Sequence, residues 1–334
     1  MQTPSPDRHP DHRFSLARIA DCARAIAPEF LDSPQYDCEP LSEALGCALT
    51  LKVETANPIR SFKARGACWL VHELRRRGET RPLVCASAGN WGQAMAWACR
   101  AQGLPLVVHA SVNANALKVE RMAALGATVL RSGADFDAAK AAARAHAGRI
   151  GGLLVEDGLA PEVGEGHATI AMELLARGAA PDAIVVPLGN GALLNGIARW
   201  TKHVAPRTQV IGVCAAGAPA MERSWRTDAI VETATADTLA DGIAVRVPIP
   251  QAVADMRGLV DDVLLVDDAC ILDGLRLAFR YAGLLLEPSG AAGIAAILAH
   301  PARFAGRRVA TVLCGGNLTP AQAADWLGIG ASTT

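Results

Sequence analysis

Residues 183–200 read AIVVPLGNGALLNGIARW: an apolar run, then a turn of small residues, then a segment typical of a helix. Because Gly189, Gly191 and Ala192 have little or no side chain, this turn can approach an anion such as phosphate, with a helix N-terminus behind it. The segment lacks the Gly-Lys-Ser/Thr ending of a Walker loop, and Leu194 stands where a Gly-x-Gly-x-x-Gly loop has its last glycine. It therefore predicts a strand, an anion-binding turn and a helix, a combination that many α/β proteins share.

The same alternation of apolar runs and amphipathic segments continues along most of the chain. Short apolar runs separated by helical segments predict parallel sheets that are covered by helices on both faces. The chain is therefore expected to be an α/β protein, and no Pro/Gly/Ser-rich linker divides it. The runs on which this prediction rests include PLVCA (82–86), LPLVVHA (104–110), LLVEDG (153–158), QVIGVCA (209–215) and RVATVLCGG (308–316).

Composition limits the classes of function. The chain has 334 residues, 51% of them hydrophobic, and a formal net charge of -1, so it can form a large core and has no excess charge for nucleic acid or anionic membranes. Its nine cysteines include no Cys-x-x-Cys pair, which predicts reduced thiols and no zinc site. The polar, proline-rich start, residues 1–14, is expected to be a disordered tail, not a signal peptide. We expect a cytoplasmic protein that binds neither nucleic acid nor membrane.

A lysine near the start of a helix is the first candidate for chemistry. In NPIRSFKARGA (57–67), followed by apolar residues at helical spacing, Ser61 is placed to cap the helix and Lys63 to lie in its first turn. The helix dipole and the nearby Arg65 would both disfavour the ammonium form of Lys63. A neutral amine is what Schiff-base chemistry requires. The segment alone also fits a solvent-facing lysine.

Two further turns follow apolar runs. ASAGNWGQ (86–93) predicts a strand, a turn of small residues and a helix start, whose backbone amides could bind a carboxylate. LCGGN (313–317) ends another strand, and its Cys314 is either a weak hydrogen-bonding group or a buried structural cysteine.

Taken together and in order, these segments resemble the threonine/serine dehydratase family of pyridoxal-phosphate enzymes, which have fold type II and are related to tryptophan synthase β. The resemblance implies two lobes, each a mostly parallel, twisted sheet flanked by helices. We expect a large cofactor-binding domain of residues 15–80 and 160–334 and a small domain of residues 81–159. The segments that carry the resemblance are NPIRSFKARGA, ASAGNWGQ, EGHATIAMEL, VPLGNGALLNGIA, TLADGIAVRVP, EPSGAAGIAA and LCGGN.

The resemblance also implies roles for individual residues. Lys63 would form the Schiff base with pyridoxal phosphate, Phe62 would pack beside the cofactor, and Cys314 would face its pyridine nitrogen as a neutral thiol. The phosphate would be held by the backbone of Gly189, Asn190, Gly191, Ala192 and Leu193. The substrate would be bound by Ser87, Ala88, Gly89, Asn90 and Trp91, with Asn90 also reaching the cofactor.

The reaction implied is elimination of the β-hydroxyl group and ammonia from a threonine- or serine-like amino acid, leaving a 2-oxo acid, with Lys63 removing the α-proton. A β-replacement enzyme and a racemase are alternatives. Ala64 after the lysine counts against β-replacement, and Ala88 counts against racemisation because alanine cannot transfer a proton. The family resemblance also implies a homodimer.

Three departures from the family pattern leave the substrate open. Trp91 replaces the usual histidine, and it either faces the pocket or packs in the core. Glu156 and Asp157 replace a His-Pro turn, and they either bind a cationic group of an unusual, polar substrate or form a solvated turn. The segment CAAGAPA (214–220) has no carboxylate where some relatives bind a divalent metal, so we expect no metal there.

Overall fold

The computed structural model describes residue 7 and residues 9–114, 116–134 and 136–329, without the side chain of residue 137. Most of the first half of the expected tail at 1–14 lies outside the described residues. In the part that is described, Phe14 is buried and Arg13 forms an ion pair with Asp255 at 2.6 Å. These contacts join residues 13 and 14 to the body of the protein, and the assignment of 1–14 as a tail stays a prediction.

Strands and helices alternate along the described chain. The strands are β1 Gln35–Asp37, β2 Ala48–Val53, β3 Leu83–Ala86, β4 Leu106–Ala110, β5 Thr128–Arg131, β6 Leu153–Leu154, β7 Ala183–Pro187, β8 Gln209–Ala215, β9 Asp262–Val266 and β10 Arg308–Leu313. The helices are α1 Leu16–Ala25, α2 Glu39–Leu45, α3 Lys63–Arg76, α4 Asn90–Gln102, α5 Ala116–Ala124, α6 Phe136–Ile150, α7 Pro161–Ala176, α8 Ala192–Val204, α9 Ala220–Thr227, α10 Pro250–Ala254, α11 Asp268–Ala282, α12 Pro288–Ala299, α13 Pro301–Phe304 and α14 Pro320–Leu327.

The larger sheet has the strand order β1-β2-β10-β7-β8-β9 within the described residues. All its neighbours pair in parallel except β1 with β2, which are antiparallel. Every residue of β7 is buried, as expected for an apolar strand covered by helices on both faces. The helix that follows, α8, begins directly after the glycine turn of residues 189–191, as residues 183–200 predict.

The smaller sheet has the order β5-β4-β3-β6 in the described chain, and all of its strands are parallel. Helices α4, α5 and α6 connect these strands, because parallel neighbours require a crossover. The predicted α/β class with two mostly parallel sheets flanked by helices is confirmed.

The membership of the two sheets agrees with the expected division of the chain, and the domain boundaries themselves stay a prediction. Strands β3 to β6 fall within residues 81–159, and the other strands fall outside that range. Helix α3 nevertheless packs with the core of the smaller sheet, where Trp69 and Leu70 join Leu83 and Met95. Residues 63–76 therefore contribute to the hydrophobic core beneath the smaller sheet.

Both sheets direct the ends of their parallel strands toward the candidate site. The turn of residues 188–191 follows β7, Cys314 follows β10, Ser87 follows β3, and Val155 follows β6. In open parallel sheets, ligands bind outside the carboxyl ends of the strands. The segments singled out in the sequence thus lie where this fold places a binding site.

Candidate functional site

Helix α3 brings Lys63 into the site at its first residue. Of the apolar residues predicted to form one face of this helix, Ala67, Leu70 and Val71 are buried and Leu74 is half-buried against the same core. Ser61 was predicted to cap this helix, but the residue at the cap position is Phe62. Ser61 still contributes in part, because its hydroxyl accepts a weak hydrogen bond from the Lys63 amide at 3.4 Å.

The Lys63 amine contacts a carboxylate that lies far away in the sequence. Its Nζ donates a hydrogen bond to Asp157 Oδ2, and it lies 4.8 Å from the centroid of the Phe62 ring. The side chains of Lys63 and Asp157 are 17% and 12% exposed, so water reaches this ion pair only partly. The partly buried amine with one carboxylate partner is the chemical centre of the site.

The side chain of Arg65 is directed to two glutamates, and its expected influence on Lys63 stays a prediction. Its guanidinium is fully buried and forms ion pairs with Glu54 at 2.8 Å and with Glu173 at 2.5 Å. Burial acts to raise the pKa of Glu173, but hydrogen bonding to Arg65 and Lys52 holds that pKa below its usual value. Arg65 is therefore part of a buried ionic network that anchors α3, and two carboxylates compensate its charge.

All nine residues predicted to bind the cofactor line one cavity of about 440 Å³, here called the cofactor cavity. They come from the start of α3, the start of α4, the turn before α8 and the end of β10. The structure thus brings together Phe62, Lys63, Asn90, Gly189, Asn190, Gly191, Ala192, Leu193 and Cys314, and it adds Pro187, Gly242, Ile243, Glu287 and Ser289.

The turn before α8 leaves little room for side chains at Gly189 and Gly191. A Cβ atom at Gly189 would lie 2.5 Å from the carbonyl oxygen of Gly242. Gly191 has φ +91°, a left-handed conformation that disfavours other residues, and it immediately precedes the first residue of α8. Free amides at the start of this helix of 13 residues, together with its dipole, form a site for an anion such as a phosphate.

The wall of the cofactor cavity at the end of β10 carries a neutral thiol. Cys314 is 4% exposed, and its Sγ donates a hydrogen bond to the Ser289 carbonyl oxygen at 3.5 Å. Burial, and next the nearby Glu287 carboxyl group, raise the pKa of the Cys314 thiol, so the group is not ionised at neutral pH. The Ser289 hydroxyl in the same wall is buried and has no hydrogen-bond partner among the described residues.

These features fit pyridoxal phosphate. The cavity offers a primary amine for an aldehyde, a cradle of backbone amides for a phosphate, and an un-ionised thiol beside an unpartnered hydroxyl for a heteroaromatic ring. A buried hydroxyl without a partner costs free energy, which is recovered when a ligand supplies the partner.

The turn between β3 and α4 is organised by its own serine. The Ser87 hydroxyl accepts hydrogen bonds from the amides of Gly89 at 3.1 Å and Gly92 at 2.9 Å. Ser87 and Trp91 line a second cavity, whereas Ala88 and Gly89 lie in the turn between them and line neither cavity. The expected substrate-binding residues therefore occupy one turn, divided between two neighbouring cavities.

Asn90 is held on both sides of its amide. Its Nδ2 donates a hydrogen bond to Glu287 Oε1 at 2.5 Å, and its Oδ1 accepts one from Asn317 at 2.8 Å. This arrangement connects the start of α4 with the segment before α12 and with the end of β10. It fixes Asn90 in the wall of the cofactor cavity, where the sequence placed it.

The second cavity, here called the side-chain cavity, has a volume of about 490 Å³ and adjoins the cofactor cavity through Asn190. Both interpretations of Trp91 hold, because its ring is 5% exposed, packs in the core and also lines this cavity. Its lining residues are Ala86, Ser87, Trp91, Phe136, Lys140, Ala143, Leu154, Val155, Glu156, Asp157, Asn190 and Ile249.

The pair Glu156 and Asp157 does not form a solvated turn. Glu156 accepts a hydrogen bond from Arg144 at 3.1 Å, and Asp157 contacts Lys63. Both carboxylates therefore have cationic partners within the protein.

Sequence reasoning missed two polar groups of the site. Glu287 is 3% exposed, its pKa is raised by burial, and it joins Asn90 to the amide of Asn317. Glu287 belongs to the segment EPSG (287–290), but the sequence alone assigned this glutamate no role. Lys118, on α5, forms an ion pair with Asp241 at 2.9 Å, and a Cβ at Gly89 would lie 3.5 Å from its Nζ.

Among the described residues, no group of three or more His, Cys, Asp or Glu side chains is arranged to hold a metal ion. The absence of a metal near residues 214–220 stays a prediction. Within the same part of the chain, no helix is both long enough and apolar enough to cross a membrane.

Comparison with known proteins identifies the class. Residues 26–315 match the family described as pyridoxal-phosphate dependent enzyme. The chain belongs to this family, and the cofactor for which its site is built is pyridoxal phosphate.

Two proteins of this kind and one solved structure illustrate which proteins the chain is similar to. The chain is 33% identical to the L-threonine ammonia-lyase of Thermotoga maritima over 278 residues, which are 83% of this chain and 69% of that protein. It is 29% identical to the serine racemase of Arabidopsis thaliana over 313 residues, 91% of this chain and 93% of that protein. A solved threonine deaminase from T.th. is 32% identical and superimposes with a TM-score of 0.86, covering 91% of this chain and 99% of that chain. Among five matching threonine ammonia-lyases and dehydratases, the share of the relative that is matched ranges from 46% to 72%.

Proposed function

We propose that this protein is a pyridoxal-phosphate-dependent ammonia-lyase that converts a β-hydroxy amino acid of the threonine/serine type to a 2-oxo acid and ammonia. The observation that carries the proposal is the Lys63 amine, partly shielded from water and paired with Asp157, in one cavity with an anion cradle and a neutral thiol. Relatives with ammonia-lyase activity at 33% and 34% identity support it.

Binding and orientation are assigned to fixed parts of the fold. The backbone of residues 189–193 would hold the cofactor phosphate at the start of α8, and Phe62 would pack beside the cofactor. The turn of residues 87–91, with its amides organised by Ser87, binds the substrate carboxylate. When bound, pyridoxal phosphate supplies an electron sink for the negative charge that forms at the substrate α-carbon.

Proton transfer is assigned to Lys63 and Asp157. Lys63 Nζ takes the proton from the substrate α-carbon as a general base. Asp157 Oδ2 accepts a hydrogen bond from the same nitrogen, so it orients the amine and stabilises the ammonium that forms. Cys314, held un-ionised by burial, places no negative charge at its wall of the cavity, which favours elimination over reactions that need a long-lived carbanion.

A racemase is the alternative that the comparison with Arabidopsis serine racemase raises. Racemisation needs a second acid or base on the opposite face of the substrate. The family resemblance places Ala88 at the position of that group, and its methyl group cannot transfer a proton. We therefore propose elimination as the main outcome, with D-amino acid a minor product or none.

The experiment is turnover by the purified protein saturated with pyridoxal phosphate. We expect ammonia with 2-oxobutanoate from L-threonine and with pyruvate from L-serine, and none from the Lys63→Ala variant. Chiral chromatography of the remaining amino acid measures racemisation in the same samples. A cofactor-loaded protein that releases no ammonia from any hydroxy-amino acid would overturn the proposal.

We propose further that the protein acts as a homodimer in the cytoplasm, without nucleic-acid, membrane or metal partners. An even balance of charge and closed two-fold symmetry as the commonest form of oligomer support this part. The proposed lobes are residues 15–80 with 160–334 and residues 81–159, as the membership of the two sheets suggests.

A further inference from the structure

The side-chain cavity is placed to receive whatever projects from the β-carbon of a substrate bound at Lys63. It adjoins the cofactor cavity through Asn190, and Asp157 both lines it and contacts Lys63 Nζ. On one side it is bounded by Trp91, in the first turn of α4. A molecule whose α-carbon lies at the lysine therefore has this cavity within reach of its side chain.

The walls of this cavity are mostly apolar. Seven of its 12 lining residues have hydrocarbon or aromatic side chains: Ala86, Trp91, Phe136, Ala143, Leu154, Val155 and Ile249. Threonine carries only a methyl and a hydroxyl group on its β-carbon, each comparable in size to a water molecule of about 30 Å³. The empty space inside the side-chain cavity, open solvent included, is about 490 Å³, which is more than those groups occupy.

Two polar atoms at the walls lack hydrogen-bond partners. Trp91 is 5% exposed, and its Nε1 has no partner in the described chain. Asp157 uses Oδ2 on Lys63, and its buried Oδ1 is equally unpaired among the described residues. The first is a donor and the second an acceptor. A hydroxyl group both accepts and donates, so the β-hydroxyl of a substrate has the chemistry to pair with either of them.

The charges around the cavity do not favour a cationic side chain. Glu156 is paired with Arg144, and Asp157 is paired with Lys63 whenever that amine is not joined to the cofactor. The remaining charged lining residue, Lys140, lies with its Nζ 5.8 Å from the centroid of the Phe136 ring. That cation would repel an amino group on the substrate side chain.

We propose that the side-chain cavity selects β-hydroxy-α-amino acids that carry an aromatic or other bulky apolar group on the β-carbon. This inference rests on the proposed ammonia-lyase function and names its substrate class. The reaction removes the α-proton and the β-hydroxyl as water, and a water molecule then hydrolyses the resulting imine to release ammonia. 3-Phenylserine would thus give phenylpyruvate and one ammonia, with no oxidant or reductant.

The test compares substrates on the cofactor-loaded protein. The expected kcat/KM for L-threo-3-phenylserine is at least 10-fold that for L-serine, because a single methylene in an apolar pocket already changes specificity by about 10- to 200-fold. A value for phenylserine equal to or below that for L-serine, with L-serine turned over, would overturn the inference and leave the ammonia-lyase proposal standing.

A matched pair of variants tests the cavity itself. Ile249→Trp fills it from the half-buried segment before α10, and the expected phenylserine-to-serine ratio of kcat/KM falls at least 10-fold. Ile230→Trp makes the same change at a residue that is 41% exposed and lines neither cavity, and it leaves the ratio unchanged. An unchanged ratio in Ile249→Trp would contradict the assignment.

A binding measurement separates failure of this inference from failure of the proposed function. L-Phenylalanine has no β-leaving group, so its binding, followed by calorimetry, does not depend on elimination. We expect it to bind at least 10-fold more tightly than L-alanine, and to lose this advantage in Ile249→Trp. If no hydroxy-amino acid reacts but this preference is found, the cavity assignment stands and the ammonia-lyase proposal fails. Equal binding of the two amino acids would overturn the cavity assignment.

Discussion

Replacing Gly191 by alanine tests the phosphate cradle. Gly191 has φ +91°, and a Cβ there would lie 3.2 Å from both Asn195 Nδ2 and the Ala252 side chain. The left-handed backbone costs a non-glycine residue about 1–2 kcal/mol, and the crowding requires the turn to move. If the movement removes one hydrogen bond from a backbone amide to the charged phosphate, worth about 1.5–3 kcal/mol, the Kd for pyridoxal phosphate rises about 10- to 150-fold.

The matched control is Gly103→Ala at the end of α4. Gly103 has φ +65°, and a Cβ there would meet no atom within 4 Å, so the change carries the backbone cost without touching the site. Both variants are titrated with pyridoxal phosphate by visible absorbance, and their melting temperatures are measured without cofactor. We expect both to be less stable than the unaltered protein, and only Gly191→Ala to bind the cofactor weakly. A Kd for Gly191→Ala within three-fold of the control would refute the assignment of this turn to the phosphate.

Three further changes test the neighbouring groups. Asp157→Asn should lower kcat for L-threonine by about 100-fold at unchanged cofactor content, because it removes the carboxylate that contacts Lys63. The measurement is steady-state kinetics, and a normal kcat would exclude Asp157 from proton transfer. Glu173→Gln should lower the free energy of unfolding by about 3 kcal/mol at pH 7, measured in urea. The ionic network holds the pKa of Glu173 below 4.5, so the Glu173 carboxylate stabilises the folded protein fully above that pH. The difference in unfolding free energy between the unaltered protein and Glu173→Gln should therefore shrink as the pH falls below 4.5. A difference that does not change with pH would contradict this. Lys118→Met should raise KM for the amino acid about 10-fold with cofactor affinity unchanged. Asp241→Asn leaves the Lys118 cation beside Gly89, so it should raise KM less. Equal effects of the two changes would show that Lys118 serves only its contact with Asp241.

The parts of the site that could be predicted from sequence are those in which local pattern and position in the fold coincide. Residues 183–200 read as strand, turn and helix, and the structure has all three. Because the parallel strands end on the site, segments that follow strands in the sequence, such as Ser87 and Cys314, lie together in space. The nine residues predicted to bind the cofactor line one cavity for this reason.

Long-range pairing of side chains was not predictable in this way. Lys63 and Asp157 are 94 positions apart, and Arg65 reaches Glu173 across 108 positions. Periodicity places a residue on a face of its helix, but it does not say which distant carboxylate meets it. Proximity in sequence therefore did not reveal the contacts of Arg65 with Glu54 and Glu173, or the contact of Asp157 with Lys63.

The central claim, that Lys63 is the amine to which pyridoxal phosphate is joined, can be tested by chemical trapping. Borohydride reduction of the cofactor-loaded protein makes the bond between lysine and cofactor permanent, and peptide mass spectrometry locates it. The account predicts one phosphopyridoxyl group per chain, on Lys63, and none in the Lys63→Ala variant. Recovery of the label on Lys52, Lys118 or another lysine, with Lys63 unmodified, would contradict it.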